Sequence, residues 1–239
     1  GIFPFFRAYV KQTMQKEGFF MSKKTLITGT LILTSASLIT KLIGFFYRVY
    51  MVNLIGSEGM GLYQLIMPIY MLTWSITSSG FTTTISKLTA QEKARNQTGN
   101  MGRILKQSLF MTLLASILIS SFLFFCADWF SITILKEPRT AFAFRVLAFA
   151  IPFMSSGSCI RGYFLGLQHA IIPAISQVLE QIVRIAAIYM TASFFVPKGL
   201  NYACVCAVIG IVSGEVLSFL FVFFNYIQFK RKRKYIKKP

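Results

Sequence analysis

The sequence predicts an all-α transmembrane protein with about six membrane-spanning helices. Three observations carry this. The 239-residue chain is 55% hydrophobic and only 13% charged, with 25 Phe, whereas soluble domains carry roughly 25% charged residues. Its apolar runs reach the ~20 residues that an α-helix needs to cross ~30 Å of hydrocarbon. Its Lys and Arg residues gather mainly in the connections between those runs. In lipid the backbone must satisfy its own hydrogen bonds, so such runs become helices.

The elements follow in order. Residues 1–20 read as a translated leader or an unstructured N-terminal extension. Met21-Ser22-Lys23-Lys24 resembles a bacterial membrane-protein start, with a purine-codable Lys16-Glu17-Gly18 just upstream. Lys23 to Ser37 mimics a secretory signal peptide, but the apolar pattern runs on to Tyr50 and further spans follow. Spans are expected near 26–50, 61–85, 104–127, 140–160, 171–195 and 201–226. Gly56 to Gly61, Gln91 to Gly102, Glu137-Pro138, Gly162 to Pro173 and Pro197-Lys198-Gly199 break the chain between them. Residues 21–228 form the six-span unit, and 229–239 a basic tail. One membrane side collects 15 basic residues: Lys23, Lys24, Lys87, Lys93, Arg95, Arg103, Lys106, Arg161 and seven in the tail. The other receives Lys136, Arg139 and Lys198. The positive-inside rule then places both ends in the cytoplasm of a multi-pass protein of the bacterial plasma membrane.

Composition also excludes functions. The net charge is +18, but it flanks spans, so the run Lys230 to Lys234 is read as an anchor for anionic lipid headgroups and not as a nucleic-acid surface. The sequon Asn96-Gln97-Thr98 falls on the cytoplasmic side and is read as chance. Cys126, Cys159, Cys204 and Cys206 form no CxxC pair, and His169 is the only histidine, so no disulfide framework, metal site or cofactor is implied. No GxxxxGK[ST] loop is present.

Charges inside the spans are the informative residues. A mid-helix Lys or Arg costs about 2.5–3.5 kcal/mol on insertion scales, so it faces a cavity or a partner. Four are expected there: Lys41, Arg48, Arg145 and Arg184. Lys41, Gly44 and Arg48 share one face of the first span, with Lys41 roughly 22 Å beyond Leu26. In the fifth span Gln177, Glu180, Gln181 and Arg184 form a polar stripe. Glu180 and Arg184 either make an i,i+4 salt bridge that lowers the insertion cost, or Arg184 offers charge to a substrate while Glu180 tunes it. Glu215, after Gly210 and Gly214, either pairs with a span arginine or titrates as a coupling carboxylate. The second span adds Gln64, Ser75, Ser78, Thr82 and Ser86, as helix-packing contacts or cavity lining, with Pro68 as a kink. The third span, uncharged from Leu109 to Phe125, is assigned to lipid. Four basic against two acidic groups in the spans suit an anionic substrate such as a diphosphate, which Arg grips bidentately.

The ordered motifs Lys41-Leu42-Ile43-Gly44-Phe45 with Arg48, Gly56-Ser57-Glu58-Gly59-Met60-Gly61-Leu62-Tyr63-Gln64 and Ile85-Ser86-Lys87 resemble the stage V sporulation protein B family. So do Arg161-Gly162-Tyr163-Phe164, Gly166, Gln168 and the run Pro173 to Arg184. This is a branch of the multidrug/oligosaccharidyl-lipid/polysaccharide exporter superfamily. The resemblance implies one lobe of a two-lobed transporter that opens alternately to each membrane face. It implies no catalysis, but flipping of undecaprenyl-diphosphate-linked sugars such as the peptidoglycan precursor, for cell wall or spore cortex. In such relatives basic residues of the first helix line the cavity, the neighbourhood that Lys41 and Arg48 match. Lys41 stands where arginine is common, Leu165 replaces a frequent polar residue, and Gly80-Phe81-Thr82 lacks a frequent proline. Family chains are about twice as long, so the partner is a missing C-terminal lobe or a second copy, unless the product is an inactive fragment. A cation-coupled multidrug antiporter, with Glu180 and Glu215 as its acidic groups, is the alternative. A membrane-embedded glycosyl or acyl transferase lacks a catalytic dyad, since Asp128 and Glu137 stand alone in an outer loop.

Overall fold

The computed structural model describes residues 23–95, 98–195 and 199–236; the expected leader lies outside them. Among the described residues the regular structure is helical. The main elements are α1 (Lys23–Trp74), α2 (Gly80–Ala94), α3 (Thr98–Phe125), α4 (Ala141–Ala148), α5 (Ala150–Gly166), α6 (Ile171–Phe195) and α7 (Leu200–Ile236).

The stretch Ile27–Ala94 has 68 residues, about 100 Å of straight helix, and it folds back on itself. Gly56 supplies the break at φ 72° and ψ 178°, a left-handed conformation that a Cβ resists. Both ends of the stretch reach the same turn between α5 and α6. Gly29 lies against Ala170, with 3.6 Å between its built Cβ position and the Ala170 Cβ, and Lys93 Nζ donates to Leu167 O at 2.8 Å. The tip, on the opposite membrane side, is tied by Glu58 to Arg139 Nη1 at 2.9 Å. This stretch therefore supplies two passes. Asn100–Phe125, Ile171–Phe195 and Cys204–Arg231 supply one each. Pro138–Ala148 and Ala150–Gly166, bent by 43°, form a broken span, which completes the six expected.

Prolines and hydroxyls explain the irregularities. Pro152 has no N–H to offer Ala148 O, and its ring crowds that carbonyl; the helix breaks at Phe149, and Ser120 Oγ from α3 donates to Ala148 O at 2.7 Å. Helix α1 runs through Pro68, and a π-turn follows at Ser75–Ser79. There Thr73 and Thr77 hydroxyls return to the carbonyls one turn back, each at 2.8 Å. Helix α7 passes the expected end of its span and continues through the basic run to Ile236.

Lipid tails offer helices no hydrophobic drive to associate, so close packing of small residues matters. A Cβ on Gly162 would sit 2.7 Å from Thr82 O, and one on Gly166 2.6 Å from Ser86 O, which fixes how closely α5 meets α2. A Cβ on Gly214 would sit 2.8 Å from Glu180 O, so α7 lies backbone to backbone on α6. The serine and threonine face of the second span is thus turned largely into packing: Ser78 is buried, and Thr82 Oγ1 donates to Ser78 O and Ser158 O at 2.8 and 3.2 Å. Helix α3 presents Phe110, Leu114, Leu118, Phe122 and Phe125 outward, as a lipid-facing surface requires.

Candidate functional site

The structure divides the expected site residues into three groups. The first is a polar cluster inside the lobe. Arg184, 9% exposed, donates from Nη2 to Glu180 Oε1 at 2.6 Å, the i,i+4 pairing expected from spacing. Glu215, 3% exposed, approaches from α7 and accepts a hydrogen bond on Oε1 from Tyr70 Oη at 2.7 Å. Tyr70, Glu180, Arg184 and Glu215 act on one another electrostatically. Gly214 permits this convergence, since it rests on the Glu180 carbonyl beside the Arg184 Cβ. Three polar atoms here remain without a hydrogen bond: Glu215 Oε2, Arg184 Nε and Gln181 Oε1. The internal salt bridge between Glu180 and Arg184 is formed.

Arg161 joins this region, where the sequence had suggested a loop. It lies within α5, because Gly162 is a packing contact and not a helix breaker. Its Nη1 donates to Ser218 Oγ at 3.2 Å and its Nη2 to Ser158 Oγ at 3.0 Å. Ser218 in turn donates to Ser176 O at 3.2 Å, which links α5, α7 and α6. Its charge acts on Glu215.

The second group lies on the lobe's surface. Lys41, Arg48, Gln64 and Gln177 are all exposed. Neither Lys41 nor Arg48 makes an ion pair among the described residues. Tyr63, buried, feels the charge of both Arg48 and Arg184, so those cations flank it from outside and inside. The buried Tyr47 phenol is near enough to Tyr63 for the two to interact. These tyrosines were missed from sequence; the signal was a phenol within an apolar run, which burial obliges to seek a polar neighbour. Exposure near mid-helix is also found on an apolar groove of about 560 Å³ between α1 and α6, lined by Leu31, Ala36, Ile39, Val178 and Ile182. Lys41 is turned roughly 200° about the helix from Ile39 at ~100° per residue, so the cations do not share that groove.

The third group is a rim of ion pairs at the Gly56 end. Arg145 was expected within a span facing a cavity; it lies in the short helix α4 and binds Asp128 Oδ2 at 2.5 Å. Arg139 bridges Glu58 and Glu137, at 2.9 and 3.0 Å. Asp128 and Glu137, expected to stand alone, are each held by an arginine. No group of three or more His, Cys, Asp or Glu able to hold a metal occurs among the described residues.

Comparison with known proteins completes the picture. The chain is 36% identical over 217 residues to stage V sporulation protein B of Bacillus subtilis (strain 168), covering 90% of this chain and 42% of that protein. It is 28% identical over 221 residues to the lipid II flippase MurJ of the same organism, covering 86% and 40%. It is 29% identical over 209 residues to that organism's uncharacterized membrane protein YabM, covering 85% and 38%. The chain thus spans about two fifths of the length of these relatives. No solved structure matches it. With the family model for polysaccharide biosynthesis proteins matching residues 26–239, and with apolar helices long enough to cross a membrane, the chain belongs to the polysaccharide biosynthesis protein family.

Proposed function

We propose that this chain is one lobe of a flippase for undecaprenyl-diphosphate-linked sugars, serving cell-wall or spore-cortex peptidoglycan. It transports and does not catalyse; its partner is a second lobe, or a second copy, that closes the cavity against its exposed face. The observation that carries this reading is the state of Lys41 and Arg48. They are exposed on one face of the first span and make no ion pair among the described residues. A cation within a span needs an anion or water opposite it, and a lipid diphosphate supplies several acceptor oxygens for one. Gln64 and Gln177, also exposed, suit the hydroxyls of a sugar.

Family membership and the relatives named stage V sporulation protein B and lipid II flippase support the substrate class. The basic residues collected at the Lys93 end support a cytoplasmic position for both chain ends. The test is substitution in the full-length form: Lys41→Ala and Arg48→Ala, scored for cortex or wall synthesis at matched protein levels. Transport is expected to fall at least tenfold in each, with Lys41→Arg active. Wild-type synthesis in both alanine variants would overturn the diphosphate reading.

A further inference from the structure

Inside the lobe lies a cation poised between two carboxylates on different helices. Arg184 of α6 reaches Glu180 on its own helix through Nη2, at 2.6 Å, and leaves Nε without a partner. Glu215 of α7 receives Tyr70 on Oε1, at 2.7 Å, and leaves Oε2 without a partner. A bond between Arg184 and Glu215 is the pairing that charge alone would favour, yet it is not made. An uncompensated carboxylate in so dry a place is costly, and two routes relieve it. Oε2 takes a proton, or the guanidinium swings across from Glu180.

We propose that Glu215 is a proton-exchange site within the lobe and that Arg184 is the cation that answers its charge. With a proton on Oε2, Glu215 is neutral, Tyr70 holds its other oxygen, and Arg184 stays with Glu180. When the proton leaves to water, Glu215 carries a negative charge and Arg184 turns its free Nε toward it. No bond other than O–H breaks, and the proton is the ligand.

The groups facing Glu215 are consistent with this balance. Tyr70 reaches it from α1, Arg161 from α5, and Glu180 and Arg184 from α6. The charged group of α4, Arg145, is turned to Asp128, and Arg139 in the preceding turn is engaged by Glu58 and Glu137. With Glu215 ionised, two cations meet two anions; with it protonated, one positive charge is in excess. Arg161, fixed on Ser158 and Ser218, supplies a standing cation that does not have to move. Because Gly210 and Gly214 seat α7 directly on the carbonyls of Arg184 and Glu180, a swing of Arg184 acts at the closest contact between the two helices. The site is therefore placed to couple proton occupancy to the angle between α6 and α7.

This inference stands apart from the substrate assignment and is tested without substrate. The full chain, purified into lipid nanodiscs, is examined by infrared difference spectroscopy between mildly alkaline and mildly acid buffer, in H₂O and D₂O. A protonated-carboxyl carbonyl band is expected on acidification, lost in Glu215→Gln and retained in Glu180→Gln. A spectrum in which Glu215→Gln matches wild type overturns the proposal. Should Glu215→Gln fail to fold, Tyr70→Phe keeps the carboxyl and removes its hydrogen bond; the band then shifts in frequency, and an unmoved band overturns the assignment. The swing is read from the Glu180 carboxylate bands, which move in step with Glu215 and cease to do so in Arg184→Gln. Glu180 bands indifferent to pH overturn that half.

Discussion

Replacing Gly162 with alanine tests the packing on which the whole arrangement rests. The added Cβ would sit 2.7 Å from Thr82 O, 3.1 Å from Thr82 Cα and 3.2 Å from Thr82 C. All three are backbone atoms of α2, so no side-chain rotation relieves the clash. Helices α2 and α5 must part by several tenths of an ångström, which stretches the 3.2 Å bond from Thr82 Oγ1 to Ser158 O. Overpacking of this kind costs about 1–3 kcal/mol, and a lost interhelical hydrogen bond in lipid adds about 0.6 kcal/mol. A loss of ~2 kcal/mol corresponds to roughly a 30-fold fall in the folded-to-unfolded ratio, at tenfold per 1.4 kcal/mol. At roughly 2–4 °C per kcal/mol for a chain of this size, the melting midpoint falls by about 4–8 °C. Gly44→Ala is the control: its Cβ would meet nothing within 4 Å, and alanine in a helix interior is favoured by about 0.5–1 kcal/mol. Thermal unfolding of purified protein in one detergent, followed by tryptophan fluorescence and by monodisperse size, compares the two. If Gly162→Ala melts at or above Gly44→Ala, the α2–α5 contact described here is wrong.

Other perturbations separate the remaining groups. Arg184→Ala strands Glu180 in the interior beside Glu215 and is expected to cost about 3–5 kcal/mol, as for breaking a buried pair from one side; expression and melting of Arg184→Ala against Arg184→Lys check it, and equal stability of Arg184→Ala with wild type would sink the internal pairing. Arg139→Ala breaks contacts to Glu58 and Glu137 that are largely exposed, so its melting midpoint should stay close to wild type; a clear drop in the same melt would mean that the rim holds the hairpin tip. His169 lies in the turn between α5 and α6, where burial first and the Lys93 cation second hold its imidazolium form down. Its folded value is lowered, so its contribution is present above the unfolded range near 6.5 and fades as pH falls below it. His169→Gln should flatten that slope in melting midpoint against pH, and an unchanged slope would assign it elsewhere.

Much of this was legible because lipid imposes strict rules on a sequence. Span positions follow from run length, and the Glu180–Arg184 pair follows from one turn of helix. What was not legible depended on residues far apart in the chain. Arg139 finds Glu58 across 81 positions, and Tyr70 finds Glu215 across 145; no local pattern announces either. Gly162 shows the second kind of difficulty. One glycine suits both a helix end and a tight helix crossing, and only the approach of Thr82 O decides between them. Reading it as an end put Arg161 in a loop and hid a half-buried cation. Pro68 and Pro152 show a third: the same residue type leaves one helix continuous and divides another.

The placement of charge also sharpens the argument from its sign. Counted along the sequence, four basic and two acidic groups in the spans amount to a surplus of two. In the structure each cation has a different status. Arg184 is neutralised inside the lobe by Glu180, and Arg145 at the rim by Asp128. Arg161, the addition, is spread over two hydroxyls with Glu215 in electrostatic reach. Lys41 and Arg48 are left, exposed and without an acidic partner among the described residues. The surplus is therefore concentrated on one face of one helix instead of being distributed through a cavity. Glu180 is taken by Arg184 and Glu215 by Tyr70, so neither interior carboxylate reaches the outward cations, and under the proposed function these are what a membrane anion would find. The proposed contact with substrate therefore rests first on Lys41 and Arg48, since Arg184 is engaged by Glu180. Arg184→Lys, which keeps the charge but loses the fork, should therefore disturb stability before it disturbs substrate affinity, whereas Lys41→Ala should do the reverse.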